Sequence, residues 1–151
     1  MSREPVTRAL QSYADRGVFR GFRATSSNGR VEYAFVWLTR KPISAVFDAR
    51  TRTLTFPSLF PAIDKAAAAD LKAVIAARGD RDQPAHKRID ARRARLTGAV
   101  RRGDLWIAVE IRGSNHEYAV KHALSVINEL FVTLHEQRPD YLIGQFGISA
   151  E

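Results

Sequence analysis

The sequence predicts an α+β domain: a single antiparallel sheet of about five to six strands with helices packed on it. Three observations lead there. Apolar residues recur at helical spacing in three separated stretches. Runs rich in β-branched and aromatic residues meet at tight-turn dipeptides. The segments follow one another as helix, four strands, helix, two strands, long helix.

The first helix is expected over roughly Pro5 to Arg16, capped by Ser2 and stopped by Gly17. Val6, Ala9, Leu10 and Tyr13 fall on one of its faces. Strands Val18 to Thr25 and Val31 to Thr39 flank Asn28-Gly29, the dipeptide that hairpin turns favour because both central residues need positive φ. Ile43 to Phe47 and Thr53 to Phe56 make a second pair around "DART". In "FPAIDKAAAADLKAVIAARGD" the stripe is Ile63, Ala67, Leu71, Val74 and Ile75. Its run of alanines suits close packing on a sheet, and Gly79 ends it. Leu96 to Val100 and Leu105 to Ile111 form a hairpin around Arg102-Gly103. Ser114 and Glu117 have capping-box spacing for a last helix running to about Gln137, stopped by Pro139. No repeat or low-complexity linker interrupts the chain, so residues 1–151 read as one domain.

One strand is apolar on both faces: Val31, Tyr33, Phe35 and Trp37 alternate with Ala34, Val36 and Leu38. Such a strand is central and covered on both sides. With helices on one face only, the Tyr33, Phe35 and Trp37 side would need another cover, and a second copy of the chain is the expected one.

With 45% hydrophobic and 26% charged residues, the chain is globular rather than disordered. The absence of cysteine excludes disulfides, thiolate metal sites and cysteine nucleophiles, and fits a reducing cytoplasm. The polar N-terminus reads as no signal peptide, and no apolar run is long enough for a membrane span.

The net charge of +8 is unevenly placed. Residues 78–102 carry nine basic and three acidic side chains, whereas residues 103–151 carry three and seven. The stretch "QPAHKRIDARRAR" is therefore the centre of a positive surface that would steer phosphates or acidic proteins. Its candidate contact residues are Lys87, Arg88, Arg92, Arg93, Arg95, Arg101 and Arg102.

Three motifs bear on chemistry. "YAFV", Tyr33 to Val36, matches four consecutive positions of the aromatic strand with which RNA-recognition motifs stack bases, but Val31 and Glu32 stand where a basic residue and glycine belong. His116 and His122 in "HEYAVKH" are six apart, not the four that place two metal ligands on one helix face. His122, Glu129 and Glu136 then read as a solvated row opposite the stripe of Val120, Ala123, Leu124, Ile127, Leu130, Phe131 and Leu134, with His135 at its edge. His86, Arg88 and Asp90 alternate, so an extended segment would project them on one side, where a histidine and a carboxylate could work as an acid–base pair. No nucleophile, glycine-rich phosphate loop, paired carboxylates or cofactor motif accompanies them.

In its element order the chain resembles the small α+β fold of type III secretion chaperones. That resemblance implies a dimer that binds a partner polypeptide on sheet and helix surfaces. It rests on no shared motif, and those chaperones are acidic whereas this chain is basic. The sequence therefore leads first to a non-enzymatic homodimeric module whose basic segment meets an acidic partner. Its alternatives are a nucleic-acid binder using residues 78–102, and a small enzyme centred on His86 and Asp90.

Overall fold

The computed structural model describes residues 5–147. Helix α1 (Pro5–Asp15) leads into a four-stranded meander of β1 (Arg20–Ser27), β2 (Arg30–Val36), β3 (Pro42–Asp48) and β4 (Thr53–Phe60). Helix α2 (Lys65–Ala77) and a connector then reach the hairpin of β5 (Ala94–Arg101) and β6 (Asp104–Ile111). The chain finishes with α3 (His116–Gln137) and α4 (Pro139–Phe146). The six strands form one antiparallel sheet in the order β1-β2-β3-β4-β6-β5, so the predicted α+β class and element order hold.

Local chemistry accounts for these elements. Asn28 and Gly29 both take positive φ (50° and 79°), as the two-residue turn between β1 and β2 demands, and Arg102 and Gly103 do the same between β5 and β6. Helix α2 opens at Asp64, whose Oδ1 accepts from the Ala67 amide at 2.8 Å. Helix α3 opens differently from expectation. Asn115, not Ser114, occupies the cap position, and its side-chain amide instead donates to the Arg112 carbonyl at 2.7 Å. The Ser2 cap lies outside the described residues. Pro139 ends α3, as expected, but also begins α4, a helix beyond that stop. It restricts Arg138 to φ −142°, ψ 61°, and itself sits where a helix needs no amide donor.

The strands bury one face and expose the other. On β3, Ile43, Ala45 and Phe47 are buried while Ser44 is exposed. On β6, Leu105, Ile107, Val109 and Ile111 are buried while Glu110 is exposed. The helices form one layer on the buried face: α3 lies on β5 and β6 and touches α1, α2 and α4. Helix α2 packs so closely on β5 that a Cβ placed on Gly98 would sit 2.6 Å from Ile75 Cδ1. On the open face, Arg30, Asp48, Thr53, Glu110 and Arg95 stand in register across five strands, with an Arg30–Asp48 ion pair at 3.4 Å.

The aromatic face of β2 is turned inward. Tyr33 and Phe35 are 2% and 1% exposed, and Trp37 is half-buried. Thr7 on α1 shares a 2.7 Å hydrogen bond with the Tyr33 hydroxyl, and Phe19 stacks on Phe35 at 4.1 Å. The face expected to need a second copy is thus covered by the chain's own first helix and the segment after it. The side with less cover is that of Ala34 and Val36.

Candidate functional site

Arg78 shapes a basic concavity. It caps α2 and is 2% exposed, although it carries a full charge. Its guanidinium meets Glu129 of α3 at 2.7 and 2.8 Å, and also donates to the Lys87 carbonyl and the Ser125 hydroxyl, each at 3.2 Å. Burial of a charge is tolerated only with such partners. The Arg78 carbonyl accepts from the amide of Ile89, whose side chain is buried. These bonds hold residues 79–93 as a series of turns folded over one side of α3. The connector is thus neither a continuation of α2 nor an extended strand.

Between α2, this connector, the start of β5 and the first turns of α3 lies a cleft of about 940 Å³. Arg81, Arg88, Arg92, Arg93, Arg95 and Lys121 line it, with His86 and His122. Its one carboxylate, Asp90, is already engaged, accepting from the Arg92 amide, Nε and Nη2 at 2.9, 3.2 and 3.1 Å. The Arg92 hydrogen bonds hold the Asp90 carboxyl below the usual carboxylate range. Among the described residues, none of the other five cations has a carboxylate partner.

Tyr118 organises the cleft's inner wall. Its hydroxyl accepts from the Asp90 amide at 2.8 Å, the Arg93 guanidinium lies 3.7 Å from its ring centre, and the His122 ring lies 4.3 Å away. Arg93 is further steadied by Asn115 Oδ1 at 3.0 Å. Burial, with Arg78, Lys121 and Arg93 nearby, holds the His122 imidazole below its ordinary pKa and therefore neutral at pH 7.

The structure divides the residues singled out from the sequence. Arg88, Arg92, Arg93, Arg95, His86 and Asp90 all line the cleft. Lys87 contributes its backbone carbonyl to Arg78. Arg101 and Arg102 lie at the far end of the β5–β6 hairpin, in a separate hollow of about 300 Å³ where Arg101 covers Trp106 at 4.4 Å. The basic run therefore makes two surfaces, not one. His86 and Asp90 share the cleft, but Arg92 holds the carboxylate that the acid–base pairing would need. Tyr33 and Phe35 are buried, so the strand matching the RNA-recognition pattern presents no rings for bases to stack on.

His122 and Glu129 correct an expectation. They are not on a solvated row: the connector folds over that side of α3, burying His122 to 6% exposure and joining Glu129 to Arg78. Glu136, beyond its reach, is exposed. Arg78, Arg81, Tyr118 and Lys121 were missed as site residues. Tyr118, Lys121 and His122 have the spacing of one helix face, a signal present in "HEYAVKH" once metal binding is set aside.

No family model, curated protein or solved structure matches the chain. Among the described residues, no helix is long and apolar enough to cross a membrane.

Proposed function

We propose that this protein is a non-enzymatic binding module that holds an acidic polypeptide segment in the basic cleft. The observation that carries this reading is the charge of the cleft: among the described residues six cations line it, and its only carboxylate is bound to one of them. A concave surface with that excess attracts and retains acidic groups. The edge position of β5 favours a polypeptide partner. Ala94, Arg95 and Leu96 belong both to the cleft wall and to an edge strand, whose outer backbone groups can pair with an added extended chain. Nucleic acid fits less well, because Tyr118 is covered by Arg93 and Arg101 and Arg102 do not continue the same surface. Pairing with a second copy is no part of this reading, since the aromatic strand that suggested it lies under α1.

Arg88, Arg95 and Lys121 are exposed and free of carboxylate partners among the described residues, so they can be reversed without removing an ion pair seen here. Fluorescence anisotropy with a labelled glutamate-rich peptide should show saturable binding. The combined Arg88→Glu, Arg95→Glu and Lys121→Glu variant should weaken it by roughly tenfold or more, the equivalent of about 1.4 kcal/mol. Unchanged affinity in that variant would remove the cleft from the account, and a single-stranded oligonucleotide binding more tightly than the peptide would replace the polypeptide with nucleic acid.

A further inference from the structure

His122 Nδ1 is buried and has no hydrogen-bond partner among the described residues. That is unusual, because buried polar atoms are nearly always bonded. The side chain is also one of those lining the cleft. Every element packed around it presents a charged or titratable group. The end of α2 gives Arg78, joined to Glu129. The connector gives Arg93 and the Arg92-bound Asp90, with Arg81, His86 and Arg88 farther along the cleft lining. β5 gives Arg95 only at the cleft rim, on the open face of the sheet, and α3 itself gives Tyr118 and Lys121. The surroundings are therefore positive apart from two carboxylates already held by arginines.

Resting on the reading that the cleft binds an acidic polypeptide, we propose that its inner end receives a doubly charged tetrahedral oxyanion, a phosphate carried on that polypeptide, and that His122 takes up a proton as it binds. A single carboxylate would leave most of the five unpaired cations unanswered, whereas a dianion concentrates two charges among them. The cleft, at about 940 Å³, is far larger than one oxyanion, which fits an anion attached to a longer chain. An anion beside Tyr118 and Lys121 offsets the positive field that keeps His122 neutral. The imidazolium then formed has both ring nitrogens as donors and an acceptor within the cleft. By linkage, such binding must strengthen as pH falls toward the ordinary histidine value.

Sulfate is the clean probe of the proton, because unlike a phosphate monoester it does not itself titrate near neutrality. Calorimetry of sulfate binding in two buffers of different ionisation heat should show net proton uptake that His86→Gln keeps and His122→Gln loses. The His122 imidazole resonances of the unaltered protein should move toward the protonated position on adding sulfate, a readout that survives if the variant folds poorly. A phosphoserine-containing acidic peptide should bind roughly tenfold more tightly than its unphosphorylated twin at pH 7.5. Equal affinity of the two peptides would overturn the phosphate assignment while leaving acidic-peptide binding intact. Sulfate binding without proton uptake or movement of the His122 resonances would overturn the role of His122. If neither peptide binds, the reading of the cleft fails as well.

Discussion

Removing the Arg78 side chain would leave Glu129 facing α2 without its cation, and would release the Lys87 carbonyl and Ser125 hydroxyl. Breaking a buried pair from one side is costly, but Glu129 keeps part of its hydration, so Arg78→Ala should destabilise the fold by about 2 kcal/mol. Urea unfolding measures this; a loss below about 0.5 kcal/mol would mean that the connector is held by other contacts. His122 gives a second prediction at this scale. Its folded pKa lies below its ordinary value of 6.5, so the unfolded chain binds the proton first as pH falls. Stability attributable to His122 is therefore complete above pH 6.5 and declines as pH drops through and below that value. Asp48 and Asp90 are also lowered, from 3.8, and act with the same sign only at more acid pH. Unfolding measured from pH 8 to pH 5 should fall less steeply in His122→Gln than in the wild type, and equal slopes would contradict the assignment.

At the scale of elements, the α2–β5 contact sets one wall of the cleft. Gly98 lets α2 approach, and an added methyl would meet Ile75 Cδ1. Gly98→Ala should cost about 1 kcal/mol through overpacking, and Ile75→Val, which removes that Cδ1, should recover part of the loss in the double variant. Simple additivity in the unfolding cycle would show that the contact is looser than 2.6 Å implies. Most elements were legible because each carries its own local cause: Asn28-Gly29 requires a turn, and Leu71 and Ile75 require a buried helix face. Helix α4 was not, because Pro139 reads as a stop. Its stability comes from burial of Leu142 and from Phe146 packing on Phe60 and Phe131, contacts between segments apart in sequence. The facing of β2 was hidden for a related reason. Both of its sides are apolar, and only the packing of α1 decides which one lies inside.

The whole molecule is a two-layer structure with one open sheet face and a charged cleft at the edge near β5. The cleft's cations were largely visible in the sequence, since Arg88, Arg92, Arg93 and Arg95 lie within eight residues. Its depth was not. A basic run looks the same whether it coats a convex loop or lines a hollow, and the difference here comes from Arg78 reaching Glu129, fifty-one positions away. The inner wall of Tyr118, Lys121 and His122 arrives from α3, beyond the β5–β6 hairpin in sequence. The measurement that tests the cleft most directly is amide shift mapping of the isotope-labelled protein titrated with an acidic peptide. Perturbed amides should cluster within residues 79–96 and 118–122, with the open sheet face around Ala34, Ser44 and Thr55 unmoved. Shifts centred on that sheet face, or none at saturating peptide, would contradict the account.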